Sequence, residues 1–200
     1  MAEITQKTYL CYHRDDQEHV DKFLQDFDNL NGLALWREEA ELPEDILHNN
    51  DKHDVIHKIR DRYLEDSIVT LVLIGPCTYT RRSVDRELMA SLHHGGDEMA
   101  DADEAEGLPN GLLGVMLPNY DNAGFPDRLD ENLQVPDRGT QAYANVIQYP
   151  ENKDDLAAAL ADAERARSER LDLVHNTPQM FSEDRACIPP EPGEQFATKE

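Results

Sequence analysis

Ser67-Ile68-Val69-Thr70-Leu71-Val72-Leu73-Ile74-Gly75-Pro76 runs directly into Cys77-Thr78-Tyr79-Thr80-Arg81-Arg82-Ser83-Val84-Asp85-Arg86-Glu87, and these two halves decide the fold. Ile68–Ile74 is a short apolar run rich in β-branched residues and closed by Gly75-Pro76. A strand covered by helices on both faces requires such a run, whereas a strand with one wet face alternates. The second half opens a helix, because Val84, Leu88 and Leu92 fall at i, i+4 and i+8. Open α/β sheets bind their ligands beyond the ends of such strands, so the stretch points to a site as well as to a fold.

The same grammar extends in both directions. Thr8–Tyr12 reads as a first strand, ending in His13-Arg14-Asp15-Asp16, which can cap a helix carrying Val20, Phe23, Leu24 and Phe27. Leu33–Trp36 after Asn31-Gly32 is a short second strand, and residues 37–50, with Pro43, read as a polar loop. A helix from about Lys52 to Leu64 buries Val55, Ile56, Ile59 and Tyr63. Leu112–Leu117 is a fourth strand stopped by Pro118. Residues 93–107 read as a solvated insertion and 118–144 as a long ordered loop. Asn145–Tyr149 is a fifth strand, followed by a helix from about Asp154 to Leu173. Pro178, Pro189, Pro190 and Pro192 mark residues 174–200 as a mobile tail behind a domain of residues 1–173.

Alternating strands and helices of this length predict an α/β three-layer sandwich of flavodoxin-like type, with about five parallel strands in the order 2-1-3-4-5. The topological switch point then lies between the first and third strands. Residues 12–16 and 75–87 form the expected site.

Charge narrows the partners. The 200 residues include 42 acidic and 19 basic side chains, for a formal net charge of −23, which repels nucleic acid and anionic lipid. The acids are spread along the whole chain, as in proteins of a salt-rich cytoplasm. In molar salt the Debye length falls to about 3 Å, and the self-repulsion of such a surface is screened. Cys11, Cys77 and Cys187 are widely spaced without a C-x-x-C pair, so neither a disulfide framework nor a zinc site is expected. The N-terminus has no apolar signal region and no stretch is long enough to span a bilayer. The expectation is a soluble, cytoplasmic protein.

Within the site, Glu87 and Asp85 flank the buried face of the helix on opposite borders, and periodicity does not choose between them. A border Glu is most often solvated or paired. Tyr12 could stack on a base and His13 could position a hydroxyl, although each is more often a packing or loop residue. Arg14, Arg81 and Arg82 are the cations nearest the site and would favour an approaching pyrophosphate. Cys77 with His13 lacks a third orienting group for thiol catalysis. His53 and His57 stand at the i, i+4 spacing of a helical zinc pair without a third ligand, and Asp97–Glu106 lacks the register of a calcium loop. No G-x-G-x-x-G or Walker pattern occurs.

Cys11-Tyr12-His13-Arg14-Asp15-Asp16, Val72-Leu73-Ile74-Gly75 with Thr78-Tyr79, Val84-Asp85-Arg86-Glu87, Gly111–Pro118 and Pro126-Asp127-Arg128-Leu129 together resemble the TIR-like proteins of the Thoeris anti-phage system (ThsB). The resemblance spans roughly residues 7–150. It departs at Ser83, where the family usually has an aromatic residue, and at Cys11, where Ser is common. It implies a TIR-like enzyme, without a cofactor, that cleaves the nicotinamide–ribose bond of its substrate NAD. The ADP-ribose would become a small, cyclic nucleotide messenger acting on a downstream effector. It further implies Glu87 as the catalytic carboxylate, and the substrate-binding residues expected around it at the switch point are Tyr12, His13, Arg14, Cys77, Thr78, Tyr79 and Ser83. The alternative is a non-catalytic TIR-like module that associates with itself or other such domains through loops 37–50 and 118–144.

Overall fold

The computed structural model describes residues 6–27, 33–36, 42–94, 107–118, 124–135 and 141–187. Five strands, β1 (Gln6–Cys11), β2 (Leu33–Trp36), β3 (Ser67–Ile74), β4 (Gly111–Met116) and β5 (Asn145–Ile147), form one sheet in the order β2-β1-β3-β4-β5. Every pairing is parallel, with Cys11 opposite Val72 and Ile74 opposite Met116. This is the order expected from the sequence. Right-handed crossovers leave few other ways to connect such units.

The period of two in β3 divides the core. Val69, Leu71 and Leu73 face one layer with Leu10, Val20, Phe23, Leu113, Leu156 and Leu160, under α1 (Gln17–Phe27) and α6 (Lys153–Glu169). Val72 and Ile74 face the other with Tyr9, Ile56, Val84, Leu88 and Leu129. The helices there are α3 (Lys52–Ile59), α4 (Arg82–Ser91) and α5 (Asp127–Asn132). Asp51 caps α3 through its carboxylate, and the helix continues into a wider turn over Arg60–Leu64.

The backbone of α6 lies directly on Gly111 in β4: a Cβ there would overlap the Ala163 carbonyl oxygen. A backbone obstacle cannot swing aside, so Gly111→Ala must push α6 off the sheet. We expect a loss of about 3 kcal/mol, read as a fall of roughly 6–12 °C in the unfolding midpoint.

Several expectations are corrected. The loop 37–50 contains a helical turn, α2 (Glu44–Leu47), and the loop 118–144 contains α5. Burial of Ile46 and Leu129 stabilises both against their loop-like composition. Residues 31–32, 37–41, 95–106, 119–123 and 136–140, which carry the Asn31-Gly32 turn, the acidic insertion and parts of both loops, lie outside the described residues.

The chain from residue 174 is not a free tail as far as Cys187. It returns across α4 and α5, held by Arg128, whose Nη1 donates to the Asn176 Oδ1 at 2.6 Å and whose Nη2 donates to the Pro178 carbonyl at 2.6 Å. Cys187 forms a disulfide with Cys77, 110 positions away in the sequence, with Cα atoms 5.4 Å apart. Proline content suggested mobility, but buried donors supply the partners that this segment lacks by itself. Residues 188–200 lie outside the described residues.

Candidate active site

β1 and β3 are neighbours, yet their following helices leave on opposite faces, so the switch point, where such sheets form their ligand crevice, lies between residues 12–16 and 75–87. On the β1 side the chain turns at His13 into a single 3-10 turn, Arg14–Asp16. The His13 Nδ1 accepts the Asp15 amide at 3.3 Å, which leaves the proton of a neutral ring on Nε2. Burial, then the nearby Arg81 guanidinium, push the His13 pKa below its ordinary value, so the ring is neutral at neutral pH. His13 is only 8% exposed, although it stands in a turn.

Asp16 closes this turn and is almost fully buried. Its carboxylate occupies the space that any side chain at Gly75 would need. Thr78 joins the two sides: its hydroxyl accepts the Gly75 amide at 2.9 Å and donates to the Asp16 Oδ2 at 3.4 Å. Burial raises the Asp16 pKa to about 6 from 3.8. Between those values the folded protein binds more protons at this group than the unfolded chain, so its contribution to stability falls as pH rises through the window. Asp16→Asn removes that dependence. In constant high salt the variant should match the parent near pH 4 and exceed it by about 2 kcal/mol at pH 8 in denaturant unfolding.

On the β3 side, Gly75–Cys77 leads through a 3-10 turn, Thr78–Thr80, into α4. From Val84 to Ser91 this helix is buried on every side, because the sheet, α3, α5 and the returning C-terminal segment surround it. The border positions of the sequence wheel are therefore not borders. Asp85 meets Arg128 (Nε–Oδ1 3.0 Å) and accepts the Phe181 amide at 2.8 Å, which commits it to anchoring the C-terminal segment. Arg86 is fully buried and donates to the carbonyls of Ile46, Asn49 (2.8 Å) and Phe181 (3.1 Å). Glu87, in the second turn, is 0% exposed.

The remaining predicted residues separate into two groups. Tyr12 belongs to the core layer under α1, its hydroxyl donating to the Gln17 Oε1 at 2.9 Å. Arg14 is exposed, with its Nε 3.8 Å from Asp15. Cys77 is spent in the disulfide. Thr78 is buried in the crevice floor, Tyr79 packs its ring against Gly124, and Ser83 is half-buried in the first turn of α4. Thus His13, Thr78, Tyr79, Ser83 and Glu87 come from the segments that follow β1 and β3, Arg14 is exposed, and Tyr12 and Cys77 serve packing and cross-linking.

Asp16 and Arg86 lay within the expected segments 12–16 and 75–87 but not among the expected substrate-binding residues, and Arg128 and Asp184 lay outside those segments. Charged residues inside a helix that must cover a sheet are a signal for Arg86. Nothing local connects Asp184 to α4, yet its Oδ1 accepts the Arg82 amide at 2.8 Å and its Oδ2 lies 3.5 Å from Arg81. No neighbouring side chain caps α4, so this distant carboxylate does so. Among the described residues, no group of three or more His, Cys, Asp or Glu could hold a metal ion, and no helix is long and apolar enough to cross a membrane.

A doubly wound parallel sheet with its crevice between β1 and β3 defines an α/β protein of the flavodoxin-like, TIR-like class. The model of the family "Thoeris protein ThsB, TIR-like domain" matches residues 9–119, which contain the whole crevice. The chain belongs to that family of anti-phage defence proteins. No curated protein matches it.

Proposed function

We propose that this protein cleaves the nicotinamide–ribose bond of NAD and rearranges the remaining ADP-ribose into a small nucleotide messenger for a downstream effector. The observation that carries the reading is Glu87, a fully buried carboxylate in the second turn of the helix that follows the strand at the switch point. Loss of nicotinamide leaves an oxocarbenium-like ribose. A carboxylate in a dry site stabilises that cation more than the neutral ground-state ribose, which is the condition for catalysis.

The other crevice residues suit the same substrate. A neutral His13 with its proton on Nε2 can donate to a ribose or phosphate oxygen, and Arg81 supplies positive charge in a chain of net charge −23. The ties of Asp85 to Arg128 and to the Phe181 amide favour Glu87 over it for this role. Sequence periodicity had left that choice open.

The test is nicotinamide release from NAD by the purified chain in molar salt, together with comparison of small-molecule extracts from phage-challenged and unchallenged cells. Release in the first assay, or a new ADP-ribose-derived nucleotide in the second, is the expected result. Absence of both would return the protein to the alternative, a TIR-like interaction module.

A further inference from the structure

Cys77 and Cys187 are brought together by a strap, residues 174–187, whose two halves are anchored in different ways. The inner half ends at the buried Phe181 and is held by buried groups: Arg128 on Asn176 and Pro178, Asp85 on the Phe181 amide, and Arg86 on its carbonyl. The outer half, Ser182–Ala186, is exposed. Its contacts include the Ser182 carbonyl with Arg82 (3.0 Å), Asp184 with the Arg82 amide and Arg81, the Arg185 amide with the Thr80 carbonyl (2.9 Å), Arg185 with Asp127 (2.8 Å), and the Arg185 guanidinium over the Phe181 ring at 3.6 Å. Exposed ion pairs contribute little and are screened by salt. The Arg185 amide–Thr80 carbonyl bond is not an ion pair and persists in salt, but the bond to Cys77 is the covalent anchor and the one that a reductant alone removes.

We propose that the Cys77–Cys187 disulfide is a reversible redox latch, which fixes the outer half of the strap over the β3–α4 turn and, when reduced, frees it to hinge at Phe181–Ser182. Both cysteines are half-buried and within reach of a small thiol, whereas Cys11 lies fully buried in the sheet. Redox chemistry is thereby confined to the pair. Closing the latch takes two electrons from the two thiols and passes them to a disulfide oxidant such as oxidised glutathione, which leaves as two thiols with the two protons. A dithiol reductant reverses the exchange through a mixed disulfide.

The latch has a consequence at the crevice. With the strap closed, the Asp184 carboxylate occupies the Arg82 amide and the side of Arg81. With it open, both donors face the β3–α4 turn without that anion. Their use by the pyrophosphate of NAD rests on the function proposed above, but the opening itself does not.

The full chain, in molar salt, is to be equilibrated in buffers of graded reduced and oxidised glutathione, alkylated and analysed by peptide mass. Cys77 and Cys187 are expected to change state together, with Cys11 unreactive until unfolding. Amide hydrogen exchange should then rise by at least about tenfold on reduction at residues 182–187 and at Arg82, with residues 176–181 and β3 unchanged. The Cys77→Ser, Cys187→Ser variant should show the open pattern in every buffer. The latch is overturned if the pair stays reduced in oxidised glutathione or if exchange is the same in both states. It is also overturned if reduction loosens β3 as well, because the bond would then be a staple for the whole fold. Nicotinamide release is measured separately in the two states: its absence from both would refute the proposed reaction while leaving the exchange result to decide the latch.

Discussion

Glu87→Gln is expected to reduce nicotinamide release from NAD by roughly 10³-fold with little change in the unfolding midpoint. The amide keeps the volume of a side chain that is wholly buried, so packing is conserved. In the proposed reaction it removes the negative charge that would face the developing ribose cation, and such a charge matters most where water is excluded. Asp85→Asn provides the contrast. It weakens the partner of a buried guanidinium and the acceptor of the Phe181 amide, so its effect should be on stability first. A chain in which Asp85→Asn abolishes turnover at full stability, and Glu87→Gln does not, would move the catalytic role to Asp85.

The second large effect is expected at Arg128. This residue is 0% exposed and makes the Nε contact to Asp85 at 3.0 Å while its two terminal nitrogens bind Asn176 and Pro178. Arg128→Met removes the cation and leaves Asp85 buried with the Phe181 amide still donating to it. Breaking a buried pair in this way costs about 3–5 kcal/mol, or about 6–20 °C in the unfolding midpoint of a chain this size. Arg128→Lys should recover little, because one ammonium cannot span the three directions that the planar guanidinium reaches. Adding Asp85→Asn to Arg128→Met should recover part of the loss, since no uncompensated charge then stays inside. Thermal and denaturant unfolding of the four proteins measure each term.

Arg128 also marks the boundary of what a linear reading can find. Pro126-Asp127-Arg128-Leu129 stood within a stretch expected to be a loop, and its composition is that of a loop. The helix α5 exists because Leu129 enters the core and Arg128 finds an anion and two sets of carbonyl acceptors. The wheel for α4 failed for a related reason. It assumes one buried face, but four different elements surround the helix, so Asp85, Arg86 and Glu87 are all interior.

The apolar runs of β3 and β4, the helical spacing after them and the punctuation at Gly75-Pro76 and Pro118 were sufficient to determine the parallel sheet, its order and the switch point between residues 12–16 and 75–87. Those are local signals, and chain connectivity converts them into topology with few alternatives. Tertiary structure alone decided that Asp85 belongs to Arg128, that Asp16 sits against Gly75, and that Asp184 and Cys187 return to the start of α4. Each of the contacts that fix these roles joins residues from about 40 to 110 positions apart. Such contacts form because folding offers a buried charge or unpaired donor one available partner, and no local pattern records which partner that will be.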